Sequence, residues 1–160
     1  MFPHIIRMFS LLQQSTHKDV DFFSFKGLRT LGKVLHVYDL NSFFLAFVKE
    51  GKIIKVACKL HGITGPEMTK QPDICMKARN RFIQLTTNCN IDLNNQTPSK
   101  QLGDLLETNS KIIVVEFKGH EKFNRELVML YDGETCINSI LIHEGWNNSW
   151  FDGSLFSVAW

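Results

Sequence analysis

Three short apolar runs separated by turn residues, all between residues 33 and 60, constrain this chain more than any other feature. Residues 33–38 (KVLHVY) are rich in β-branched and aromatic side chains, which suit a pleated, half-buried surface. Residues 39–42 (DLNS) are turn chemistry, because Asx side chains bond their own backbone. Residues 43–48 (FFLAFV) predict a second strand, and residues 49–52, with Gly51, a hairpin tip. Residues 53–60 predict a third strand. It alternates, with Val56, Cys58 and Leu60 on one face and Lys55, Ala57, Lys59 and His61 on the other. Three strands with links this tight have one simple arrangement, an antiparallel meander.

Beyond it the period lengthens. Ile74, Ala78, Phe82 and Leu85 recur at helical spacing, which predicts a helix over 73–87 with Asp73 near its start, where a negative charge suits the helix dipole. Residues 88–99 read as a loop, and Leu102, Leu105 and Leu106 as one helical turn within that excursion. Residues 111–117 and 126–131 predict two more strands, joined by a polar turn at 119–124. Residues 135–143 predict a helix that Gly145 closes as a C-terminal cap. At the other end, Ile5, Met8, Phe9 and Leu12 give a short amphipathic helix over 4–13, packed on its own domain or docked on a partner chain. Residues 18–29 read as an irregular lead-in.

Five strands in the order three, helix, two, helix predict an α+β fold built on a five-stranded antiparallel barrel of the oligonucleotide-binding (OB) type, with two or three helices packed on it. An SH3-like barrel competes, but the long helix between the third and fourth strands argues against it. Residues 1–30 are then an extension and 31–145 the barrel domain. Residues 146–160 form an aromatic tail carrying Trp146, Trp150, Phe151, Phe156 and Trp160.

Composition sets the limits on function. At 160 residues with 44% hydrophobic and 21% charged content, one folded domain with a sizeable core is expected. A net charge of +2 is too mild to argue for nucleic acid unless the cations cluster. Cys58, Cys75, Cys89 and Cys136 form no CxxC pair, which points to reduced, mostly buried thiols and away from zinc. The opening apolar stretch is too short and broken to span a membrane and lacks a cleavage site. An intracellular protein, not secreted and without membrane attachment, is expected, and the sequons at Asn95 and Asn147 read as chance.

The run from Lys59 to Glu67 (KLHGITGPE) carries the chemistry. A cation ends a strand, glycines turn the chain, and a proline presents a carboxylate. Gly62-Ile63 and Pro66-Glu67, with the strand from Gly32 to Val34, Val37-Tyr38-Asp39, Ala78-Arg79, Arg125, Ile137-Asn138 and Gly145, resemble the staphylococcal nuclease-like domain. The resemblance covers about residues 32–145. The Pro66-Glu67-Met68 ending and the basic run from Lys77 to Arg81 look like versions carried by large DNA viruses, which would place the protein in a host cell or virion.

Members of that family cleave phosphodiester bonds in DNA and RNA with calcium. Two aspartates and a backbone carbonyl hold the metal, a glutamate activates water, and two arginines bind phosphate. The resemblance puts Glu67 at the water-activating position, Arg125 at one arginine and Lys59 at the other. It puts Asn41 and Thr64 at the two metal aspartates, with Asp39 nearby. Calcium affinity depends largely on carboxylate count, and Lys59 lacks the planar fork that grips phosphate bidentately. These replacements imply a degenerate site, no cofactor, and a binding or structural module whose partner is a protein in an assembly or nucleic acid. Lys77, Arg79 and Arg81 are the candidate nucleic-acid contacts on the helix. The alternative is an active nuclease with an altered metal site that still takes calcium. A third reading has bases stacking on Phe43, Phe44 and Phe47.

Overall fold

The alternation in residues 33–60 becomes a three-stranded meander that wraps into a barrel. The computed structural model describes residues 2–121 and 124–147. Its elements are α1 (Phe2–Gln14), β1 (Arg29–Asp39), β2 (Ser42–Lys49), β3 (Lys52–Leu60), α2 (Pro72–Thr86), α3 (Ser99–Asn109), β4 (Ile112–His120), β5 (Glu126–Asp132), β6 (Thr135–Cys136) and α4 (Ile137–His143). The sheet runs β3-β2-β1-β4-β5-β6, and a further β3–β5 pairing closes the first five strands into a barrel. The class is α+β, with four helices among the described residues, of which α2, α3 and α4 pack on the barrel.

The barrel is mixed, a correction to the antiparallel expectation. Cys58, Lys59 and Leu60 pair with Glu126, Leu127 and Val128 in parallel, while every other strand pair is antiparallel. The reason is parity. Going round a ring of alternating strands, direction flips at each step, and an odd number of strands leaves one pair that must run the same way. Five strands therefore close on a parallel seam.

Each strand sends alternate residues inward. Val34, Val37, Phe43, Leu45, Cys58, Leu60, Val115, Val128 and Leu130 are fully buried. Phe25 plugs one end of the barrel, its ring 5.2 Å from that of Phe47 and 5.3 Å from that of Phe117. Backbone bonds from Gly27 to Phe117 and from Phe117 to Leu28 pin it there. The stretch over 18–29 is irregular, as expected, yet it carries this core residue.

The helix expected over 73–87 is α2, which starts on Pro72. It buries Cys75, Ala78, Phe82 and Ile83, with the Phe82 ring 5.0 Å from Phe43. The helical turn expected near residue 102 is a full helix, α3, which buries Leu102 and Leu106 and packs on β1. Asn138 of α4, 1% exposed, donates to the carbonyls of His61 and Val128, 3.0 Å each, and accepts from the Leu130 amide at 3.0 Å. One side chain thus ties the helix to both strands of the parallel seam. Trp146 packs against the core, whereas Trp150, Phe151, Phe156 and Trp160 lie outside the described residues. No helix among the described residues is long and apolar enough to cross a membrane.

Candidate functional site

The β1–β2 turn, the loop after β3 and the start of β5 converge at one edge of the barrel. Asp39 closes β1 and accepts from the Asn41 amide at 2.8 Å, the Asx turn that the sequence suggests. Burial pushes the Asp39 carboxyl above its ordinary value. The Asn41 and Ser42 amides and the charges of Arg125 and Lys59 pull the other way. Asp39, Lys59 and Arg125 therefore share one electrostatic environment.

Asn41 is held by the loop. Its Nδ2 donates to the Gly65 carbonyl at 3.1 Å, and its Oδ1 accepts from the Gly65 amide at 2.9 Å. This reciprocal pair mimics one rung of a β-ladder across a gap of 24 residues. It is possible because Gly65 sits against Leu40: a Cβ there would lie 2.7 Å from the Leu40 Cβ. The main-chain carbonyl of Asn41 takes Nη1 of Arg125, whose Nε is paired with Glu121. The guanidinium of Arg125 braces the turn.

The other positions are looser. Thr64 is exposed, and its amide donates to Asn147 Oδ1 at 3.1 Å. Glu67 is exposed, with its carboxylate 3.2 Å from Lys70 Nζ. Lys59 is half-buried on the outer wall. The side chain that could still ligate a cation at Asn41 has its oxygen occupied by a backbone amide. Among the described residues, no group of three or more His, Cys, Asp or Glu side chains is placed to hold a metal ion. The residues present therefore do not fit a calcium ion bound as the resemblance implies.

The three cations of α2 do not form one surface. Lys77 is exposed and lines a cleft of about 240 Å³ with Asp73, Met76, Leu93, Asn94 and Gln96. Arg79 turns inward and is 4% exposed. It donates to Asn80 Oδ1 at 3.1 and 3.2 Å and to the Thr97 carbonyl at 3.4 Å, and burial lowers its pKa. Arg79 therefore supports the loop over 91–97 and does not face solvent. Arg81 is paired with Glu144, Nε lying 2.6 and 3.0 Å from the two carboxylate oxygens, and so joins α2 to the end of α4.

Of the three phenylalanines considered for stacking, Phe43 and Phe47 are core residues. Phe44 faces outward in a cluster that the sequence reading missed. The His36 and Tyr38 rings are 4.4 Å apart, Tyr38 and Phe44 5.6 Å, and His36 and Phe44 6.4 Å. Lys55 Nζ stands 5.7 Å from the Phe44 centroid. Tyr38 is 47% exposed. Strict alternation along β1 cannot put both Val34 and Val37 inside; register shifts between Val34 and His36 and between Val37 and Asp39 allow it and turn His36 and Tyr38 outward. Glu126 was also missed. It starts β5 facing inward, 8% exposed, with one carboxylate oxygen 3.4 Å from His120 Nδ1 and the other without a partner among the described residues.

Comparison with protein-family models, curated proteins and solved structures finds no match for the chain.

Proposed function

We propose that the protein is a nucleic-acid-binding module on a staphylococcal nuclease-like, OB-type barrel whose metal site has been replaced by a structural clamp. The observation that carries the reading is the two-way bond between the Asn41 carboxamide and the Gly65 backbone. It occupies the position where a metal carboxylate would act, while Lys59 and Arg125 keep positive charge at the same edge. The strand order round the barrel, with α2 between β3 and β4 and β3 parallel to β5, agrees with an OB-type barrel. Beside the clamp, on the outer wall of β1–β3, stand Tyr38, His36 and Phe44 with Lys55. Aromatic faces flanked by cations suit a single strand, since bases stack without sequence preference while lysines track phosphates.

The test is fluorescence anisotropy with a labelled oligothymidylate across a salt titration, alongside digestion assays in calcium, manganese and chelator. Binding is expected to weaken steeply with salt, with no cleavage. Tyr38→Ala is expected to cost about 1–3 kcal/mol with the salt slope unchanged, and Lys59→Ala to reduce that slope by about one. Absence of binding at low salt overturns the proposal. Metal-dependent cleavage that Glu67→Gln abolishes would establish the enzyme reading in its place.

A further inference from the structure

Two apolar surfaces of this chain face solvent in the structure, and their dimensions correspond. The first is α1. None of its residues is buried, although it carries Phe2, Ile5, Met8, Phe9 and Leu12. At about 100° per residue these side chains fall on an arc about 120° wide, and Arg7 projects from the far side of the helix. The second is a stripe on the barrel wall made of one exposed side chain from each of four neighbouring strands. Ile112 on β4, Leu31 on β1, Val48 on β2 and Ile53 on β3 are 61%, 59%, 59% and 79% exposed. Gly32 and Ala46 leave a shallow hollow of about 250 Å³ among them.

Four strands about 4.8 Å apart make the stripe about 14 Å long. Phe2 to Leu12 spans about 15 Å along the helix axis. With its apolar arc laid on the stripe, α1 would point Arg7 away from Lys33 and Lys55, which stand on the same wall, so like charges would not meet. Scattered exposed apolar residues need no explanation, but an apolar helix face and an apolar stripe on one chain both call for a cover.

We propose that α1 of one copy lies across the stripe of a second copy, so that two chains exchange arms about a two-fold axis. In this structure α1 stands clear of its own wall, and Phe25 anchors the lead-in at the barrel end. Reciprocal exchange uses the same arm and stripe on both chains and closes without leaving either surface free. The two contacts together must bury about 1,000 Å² or more to hold a specific dimer. The stripe and the His36–Tyr38–Phe44 cluster share no residue, although Lys55 stands beside both, and the mass measurement that tests the pairing is made without nucleic acid.

The test is the mass of the full chain by size exclusion with light scattering, with Phe9→Asp and Ile53→Asp as variants. Both positions are exposed, so the folded barrel should survive, which circular dichroism checks. The wild type is expected at twice the monomer mass and each variant at the monomer mass. An equimolar mixture of the two variants is expected to recover a weaker dimer, because one intact arm then meets one intact stripe. A wild type that stays monomeric to high micromolar concentration overturns the proposal, whether or not α1 then binds phosphatidylglycerol vesicles. A dimer that persists in Ile53→Asp overturns it too, since the arms would then pair without the wall.

Discussion

Asn41→Asp is the substitution that would supply a metal acid if the proposed nuclease-like reading holds, and the structure indicates that it damages the fold instead. The amide donates 3.1 Å to the Gly65 carbonyl and accepts 2.9 Å from the Gly65 amide. A carboxylate keeps the second bond and loses the first, and it sets a negative oxygen against a carbonyl oxygen that has lost its donor. A lost bond in a half-buried site costs about 0.5–1.5 kcal/mol, and an acceptor left unpaired brings the cost to about 1–3 kcal/mol. The charge-assisted bond to the Gly65 amide and the nearby Arg125 offset part of this, leaving about 1–2 kcal/mol. For a chain of this size that lowers the melting temperature by about 3–6 °C. The loss has a definite pH dependence. Repulsion from the Gly65 carbonyl raises the new carboxyl's folded pKa above its unfolded value. Relative stability is then retained below the unfolded pKa, where the protonated group can donate to Gly65 as the amide does, and is lost as pH rises through the folded pKa. Urea unfolding at pH 4 and pH 7, with and without calcium, reads this directly. A variant as stable as wild type at pH 7, or one that calcium stabilises, would refute the reasoning and show that the clamp can open into a metal site.

Three further outcomes follow from the same geometry. Asn138→Ala, which removes a donor from the part-buried His61 carbonyl and the acceptor of the Leu130 amide, while the Val128 carbonyl keeps the His61 amide at 2.9 Å, is expected to cost about 2–3 kcal/mol in urea unfolding; a loss under 1 kcal/mol would contradict the role given to Asn138. Burial pushes the Cys75 thiol up to about 11 and Cys58 higher still. A thiol reagent at pH 8 should therefore label Cys89 and Cys136 in the folded protein and reach Cys58 and Cys75 only on unfolding. Asp39 has a raised folded pKa, so its contribution is present below its unfolded pKa and falls as pH rises through the folded one. Asp39→Asn, which can still accept the Asn41 amide, should gain relative to wild type in urea midpoint between pH 4 and pH 7, and an unchanged difference would rule the effect out.

The elements of the barrel were legible because their signals are local. Alternation along residues 53–60 and the Gly51 tip give β3 and its hairpin, and the 3.6 spacing from Ile74 to Leu85 gives α2. α3 was hidden because Gly103 and the polar residues around it weaken the pattern, and Leu102 and Leu106 are held by burial on β1 rather than by propensity. The inward turn of Arg79 had no local signal, since its partners Asn80 and Thr97 frame a loop that only the folded chain brings back to α2. The same applies to the site. Position placed Asp39, Asn41, Lys59 and Arg125 together, but whether Asn41 is free to ligate depends on Gly65, 24 residues away. The aromatic cluster escaped because two register shifts in β1 change which residues face out.

The parity of the barrel bears on how quickly it can form. Its seam joins residues 58–60 to residues 126–128, 68 apart in sequence, and among the pairings that close the ring the β1–β4 pair, 79 to 87 apart, spans more. The meander and the β4–β5 hairpin need only short loops, whereas the seam and the β1–β4 pairing must both wait for α2 and α3 to be laid down. Contacts this distant slow closure, and the seam is expected to form late. Weakening it at Asn138 should therefore hasten unfolding and leave the folding rate nearly unchanged. The persistence time of the closed ring is then set at the one place where its strands run the same way.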